Sequence, residues 1–163
     1  MTIVPGPLPH TFAWRIRPAI NKLTVPENEL AWFRSRLTHS FSVYASAKQV
    51  KRGSGTIFTI GNRTAPWLSL TSSLRTNQMK FRHRIVGDSQ KIHELVLQSP
   101  FEHFNNFSHM LLVVERGDVK LYVNCEEVTV ATLGGDVDLA MPSDAEMFIA
   151  QDNRLKNKFS VST

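Results

Sequence analysis

The chain has 163 residues, 42% apolar and 20% charged side chains and a formal net charge of +5, which suits one globular domain. No apolar run approaches the roughly 20 residues a membrane-spanning helix needs. There are no repeats or low-complexity tracts, and one cysteine cannot close an internal disulfide.

Residues 1–11 are rich in proline and are expected to form a loose lead-in. They lack the basic start and continuous apolar run of a signal peptide, which taken alone points to the cytoplasm. Phe12 to Ile20 reads as an edge strand. Thr24-Val25-Pro26-Glu27 has the form of a capping box opening a helix from Glu27 to Leu37, with Leu30, Phe33 and Leu37 on one stripe. From His39 the apolar period changes to two. Phe41, Val43, Ala45 and Ala47 alternate with polar neighbours, Arg52 to Gly55 is a turn, and Thr56–Ile60, Trp67–Thr71, Met79–Val86 and His93–Gln98 read as strands. A hairpin follows: Met110 to Val114 reads as a buried strand, Glu115 to Asp118 breaks it, and Val119 to Val130 returns in alternation. Val128–Leu133, Val137–Met141 and Met147–Gln151 are shorter candidates. Strands recurring every 8–12 residues or so with one helix predict an antiparallel β-sandwich.

The charge is unevenly spread. Residues 1–91 carry 14 Lys and Arg against 3 Asp and Glu, a net +11, whereas residues 92–163 carry 5 against 11, a net −6. That asymmetry suits a basic face for a polyanion, the plainer alternative being that interleaved strands mix the halves. Lys80, Arg82 and Arg84 alternate along one predicted strand. They would stand roughly 6–7 Å apart in a row on one face, a spacing that suits the sulfates of heparin or heparan sulfate. Lys48, Lys51 and Arg52 would add a second cluster. Nucleic acid is not favoured, because no recognition motif or aromatic platform accompanies the charges.

Other motifs are weaker. Arg116-Gly117-Asp118 at the hairpin tip matches an integrin-recognition tripeptide, although Gly-Asp is also what a tight turn prefers. Asn62-Arg63-Thr64 and Asn106-Phe107-Ser108 are N-glycosylation sequons. Asp136 and Asp138, with Asp144 and Glu146, are hard oxygen donors of the kind that bind calcium, but not at EF-hand spacing. The six histidines, among them His103 and His109, lack partners at zinc-ligand spacing. No nucleophile elbow, phosphate loop or dinucleotide fingerprint occurs, and Cys125 has no evident base, so the chain is not expected to be an enzyme and needs no cofactor.

The phrases Phe41-Ser42-Val43-Tyr44-Ala45, Gly55-Thr56-Ile57-Phe58, Phe107-Ser108-His109-Met110-Leu111 and Leu121-Tyr122-Val123-Asn124-Cys125 occur in an order that resembles a thrombospondin N-terminal-like domain. That family belongs to the laminin-G/concanavalin-like jelly-roll sandwiches, and the helix before Phe41 looks closest to the secreted NELL-type proteins. The resemblance implies an all-β antiparallel two-sheet jelly roll over residues 12–159, with residues 160–163 as a tail. It implies an extracellular matrix or adhesion module that binds heparin or heparan sulfate, with integrin or other matrix proteins as further partners. Phe107 replaces the family's usual Trp and Asn124 its usual Asp. The family's return-strand cysteine pairs downstream, whereas Cys125 has no second cysteine to meet. The chain stops where the family continues into its last strands, which suggests a fragment. The alternatives are a protein-interaction module without a glycosaminoglycan role, or a truncated remnant without ligand.

Overall fold

The structure is a computed structural model that describes residues 1–16, 20–49, 53–98, 106–156 and 158. In chain order the elements are β1 (Thr2–Pro5), β2 (Phe12–Arg15), α1 (Glu27–Arg36), β3 (Ser40–Lys48), β4 (Ser54–Gly61), β5 (Pro66–Ser73) and β6 (Gln78–Ile85). They continue with β7 (Asp88–Gln98), β8 (Phe107–Glu115), β9 (Asp118–Val123), β10 (Glu126–Thr132) and β11 (Glu146–Ile149). The strands form a five-stranded sheet ordered β11-β4-β5-β6-β7, a four-stranded sheet ordered β10-β9-β8-β3, and a separate β1-β2 hairpin. Every paired neighbour is antiparallel. The fold is the expected antiparallel jelly-roll sandwich with one short helix among the described residues.

Period-two patterning builds the core. Phe58, Leu70 and Phe81 on the larger sheet and Leu112, Val114 and Leu121 on the smaller one belong to one buried cluster. Each such side chain contributes roughly 1.5–3 kcal/mol when fully buried. At the sheet edges, Thr129 Oγ1 on β10 donates to the Gln98 carbonyl on β7 at 2.7 Å.

Several expectations are corrected. Residues 2–5 are a strand paired with β2 rather than a loose lead-in. The capping box does not form. Pro26 caps α1 without a side-chain hydrogen bond, because Thr24 is taken by a bridge to Phe148 and Val25 donates to the Met147 carbonyl at 2.9 Å. The acidic first turn, Glu27 and Glu29, and the basic last turn, Arg34 and Arg36, complement the helix dipole instead. The run Met110 to Val114 is not buried throughout: Met110, Leu112 and Val114 point inward, while Leu111 and Val113 are half-exposed on the outer face. The long return strand is two strands, β9 and β10, joined by a turn at Asn124 and Cys125. Both take positive φ, 51° and 71°. Cys125 therefore stands exposed in a turn rather than at the end of a strand. Val137 makes only an isolated bridge to Ile85, so Val137–Met141 is not a strand.

Candidate functional site

Register assigns the faces of the five-stranded sheet. Phe148 lies opposite Thr59, Thr59 opposite Ser69, Ser69 opposite Arg82 and Arg82 opposite Glu94, one row across five strands. The adjacent row runs Thr56, Thr71, Lys80, Val96. Because Phe58, Leu70 and Phe81 point into the core, both rows lie on the outer face. Part of that face is closed. After β11 the chain leaves β4 where Ala150 donates to the Ile57 carbonyl, reaches Asn62 through Asn153 Nδ2 at 2.7 Å, and returns to a bridge between Lys158 and Thr56. Thr56 and Thr59 are buried in consequence. The open part of the face is formed by β5, β6 and β7.

Lys80 and Arg82 stand there with side chains 37% and 46% exposed. They converge on one carboxylate. Lys80 Nζ donates to Glu94 Oε1 at 2.8 Å, and Arg82 Nε donates to Glu94 Oε2 at 2.7 Å. The Lys80 hydrogen bond, with that of Arg82 and the charge of both, holds the Glu94 carboxyl below the usual range despite opposing desolvation. The group carries one net positive charge with its cations held in place. Glu94 takes only the Nε of Arg82, so the guanidinium's terminal amino groups remain for a ligand.

Arg84 does not extend the row as an exposed cation. It is only 8% exposed; its guanidinium lies 4.5 Å from the Trp67 ring centre, and Nη1 donates to the Ser89 carbonyl. Trp67 Nε1 donates to the Asp138 carbonyl at 2.7 Å, and Asp138 N donates to the Arg84 carbonyl at 2.7 Å. This closed ring of contacts fixes one end of the open face.

The remaining candidates disperse. Lys48 lies on β3 of the other sheet, opposite Phe107. Lys51 and Arg52 fall outside the described residues. The chain on either side of them is anchored beside β5, because Ser72 Oγ donates to Gln49 Oε1 at 2.8 Å and Gln49 Nε2 to the Gly53 carbonyl at 2.9 Å. Arg116 and Gly117 form a two-residue turn with φ of 45° and 84°. Arg116 and Asp118 are exposed, but Gly117 is buried, and its carbonyl accepts the Leu133 N–H at 2.7 Å. Asp118 Oδ1 accepts Thr132 Oγ1 at 3.1 Å. Asp138 Oδ1 accepts the Ala140 N–H at 2.8 Å, and the Asp136 carbonyl accepts Val86 N–H at 3.0 Å. Among the described residues no three His, Cys, Asp or Glu side chains converge as metal ligands. Asn62 is in an Asx turn, its Oδ1 accepting Thr64 Oγ1 at 2.6 Å and the Ala65 N–H at 3.1 Å. Asn106 is exposed ahead of β8, and His103 lies outside the described residues.

Sequence reasoning missed Glu94, Ser69 and Thr71, which share the face with the cations. The phase of the β6–β7 hairpin about Val86-Gly87 is the signal, but the irregularity between His83 and Ile85 shifts the count.

No family model matches the chain. The fold is similar to the CBM40 module of the Ruminococcus gnavus IT-sialidase bound to α2,3-sialyllactose, with a TM-score of 0.62 and 10% identity over 86% of this chain and 82% of that one. It is also similar to part of the NanB sialidase of Streptococcus pneumoniae, with a TM-score of 0.59 and 14% identity over 80% of this chain and 22% of the enzyme. The leech intramolecular trans-sialidase matches at a TM-score of 0.57 and 11% identity, over 86% of this chain and 23% of that one. This chain thus spans less than a quarter of either enzyme. At these identities the likeness is one of fold, a concanavalin-like jelly roll.

Proposed function

We propose that this chain is a non-catalytic glycan-binding module that holds an acidic polysaccharide, heparin or heparan sulfate, on the open outer face of β5, β6 and β7. The observation that carries this reading is the pair of exposed cations, Lys80 and Arg82, set 2.8 Å and 2.7 Å from the same carboxylate. A sulfate entering there meets preoriented donors, with the half-buried Thr71 on the same face. Arg84 and Trp67 brace the site rather than contact the ligand. The CBM40 fold likeness supports a glycan as ligand, and the sialyllactose bound by that module is itself an acidic sugar. The setting that fits is a thrombospondin N-terminal-like module in an extracellular matrix chain, N-glycosylated at Asn62.

Elution from heparin resin in a salt gradient tests the site. The wild-type chain elutes above physiological salt, and Lys80→Glu with Arg82→Glu shifts elution to low salt. Glu94→Gln, which removes the competing carboxylate, shifts it higher. Elution that ignores all three substitutions overturns the site and leaves a protein-interaction module as the better reading.

A further inference from the structure

β3 is an outer strand of the four-stranded sheet. Its nine residues, Ser40 to Lys48, pair without interruption with Glu115 to Phe107 of β8, and no strand lies on its other side among the described residues. The burial of the two neighbours reflects this. Met110, Leu112 and Val114 of β8 are at most 2% exposed, whereas their partners Ala45, Val43 and Phe41 stay half-buried. Free strand edges are usually blunted by short length, proline, bulges or charge. β11 is four residues long, β10 is bulged between Glu127 and Thr129 and opens with two glutamates, and β7 carries Lys91 and Glu94. β3 has none of these devices apart from Lys48 at its last position.

The strand also matches itself. About Tyr44 the sequence Ser40-Phe41-Ser42-Val43-Tyr44-Ala45-Ser46-Ala47-Lys48 is close to a palindrome in chemical character. Laid antiparallel on a copy of itself with Tyr44 at the axis, Ser42 meets Ser46, Val43 meets Ala45 and Phe41 meets Ala47. No like charges oppose each other, because Lys48 meets Ser40. Tyr44 itself is 64% exposed. Its hydroxyl is fixed 2.7 Å from His109 Nδ1, and the two rings are stacked with centres 6.2 Å apart, so the central side chain is held in place before any partner arrives.

We infer that β3 pairs antiparallel with β3 of a second copy of this chain, in register about Tyr44, joining two four-stranded sheets into one of eight strands. Such a contact is isologous, the same patch serving both partners, and it closes at two. The inference rests on the strand and not on the glycan site.

Sedimentation velocity of the whole chain over a dilution series tests it, with a concentration-dependent dimer expected. Tyr44→Lys sets two ammonium groups beside each other at the axis and abolishes the dimer while leaving the melting transition of the exposed-site variant near wild type. In a Cys125→Ser background, Tyr44→Cys gives a disulfide-linked dimer on mild oxidation and Ser40→Cys does not, because residue 40 faces residue 48 of the partner. A chain monomeric throughout the series overturns the inference. So does a dimer that survives Tyr44→Lys, or cross-linking as efficient at residue 40 as at residue 44.

Discussion

Glu94 and His83 lie near each other in the β6–β7 hairpin and illustrate opposite uses of a titratable side chain. Glu94 is shared by two cations at the surface, whereas His83 points into the core at 2% exposure. It stacks between Phe81, at 5.1 Å between ring centres, and His93, at 5.8 Å. Desolvation by burial, opposed by a backbone interaction at Phe81 and reinforced by the charge of His93, pulls the imidazole below its ordinary value. The unfolded chain therefore binds more protons than the folded one as pH falls through the ordinary histidine range, and folding stability decreases there. The melting temperature is expected to fall on acidification from neutral pH, and His83→Phe, which keeps the stack with Phe81, is expected to flatten that slope. A melting temperature with the same pH dependence in both proteins would contradict this. Residues 80, 82 and 84 were legible as a shared face, since alternation needs only a count of two. That Arg84 would be drawn over Trp67 was not, because the contact depends on a register between strands that local sequence does not encode.

Strands were the most legible elements and turns the least. Alternation places β3, β6 and the end of β8 within a residue or two of their bounds. The break inside Val119 to Val130 was hidden because Asn124 and Cys125 sit in positive φ without a glycine to mark the turn. The other hairpin has its glycine, and Gly117 at φ 84° is required there. A Cβ at that position would come no closer than 3.5 Å to the Gly135 backbone, an ordinary contact. The cost of Gly117→Ala is thus conformational, about 1–2 kcal/mol, and is expected as a lower urea midpoint at unchanged slope. Leu112→Ala, at a fully buried position, is expected to cost about 2–5 kcal/mol by the same measurement. The same turn carries the Arg-Gly-Asp tripeptide. With the Gly117 carbonyl accepting from Leu133 and Asp118 Oδ1 from Thr132, it also braces the β9–β10 end, and Asp118→Ala is expected to loosen that end.

For the whole molecule, the division between basic and acidic halves of the sequence becomes a division of labour between strands. The open basic face is drawn from β6, and its one counter-charge from β7. Ligand binding through so few charges is expected to weaken only gradually with salt, and the slope of log affinity against log salt, set by the number of cations engaged, is expected to shrink further when Lys80 or Arg82 is removed. The edge of β3, which no strand covers among the described residues, has a geometric consequence for this face. Antiparallel pairing within a sheet is related by a twofold axis perpendicular to it, so whatever lies beneath one copy lies beneath both. The two five-stranded sheets would then look in the same direction, presenting a pair of cationic patches to one polysaccharide chain. Fragments long enough to span both would gain by effective concentration, by up to about 10²–10⁴-fold. Affinity would rise abruptly with fragment length in the wild-type protein and only gradually in Tyr44→Lys, making this protein a ruler for sugar chain length as well as a sensor of charge.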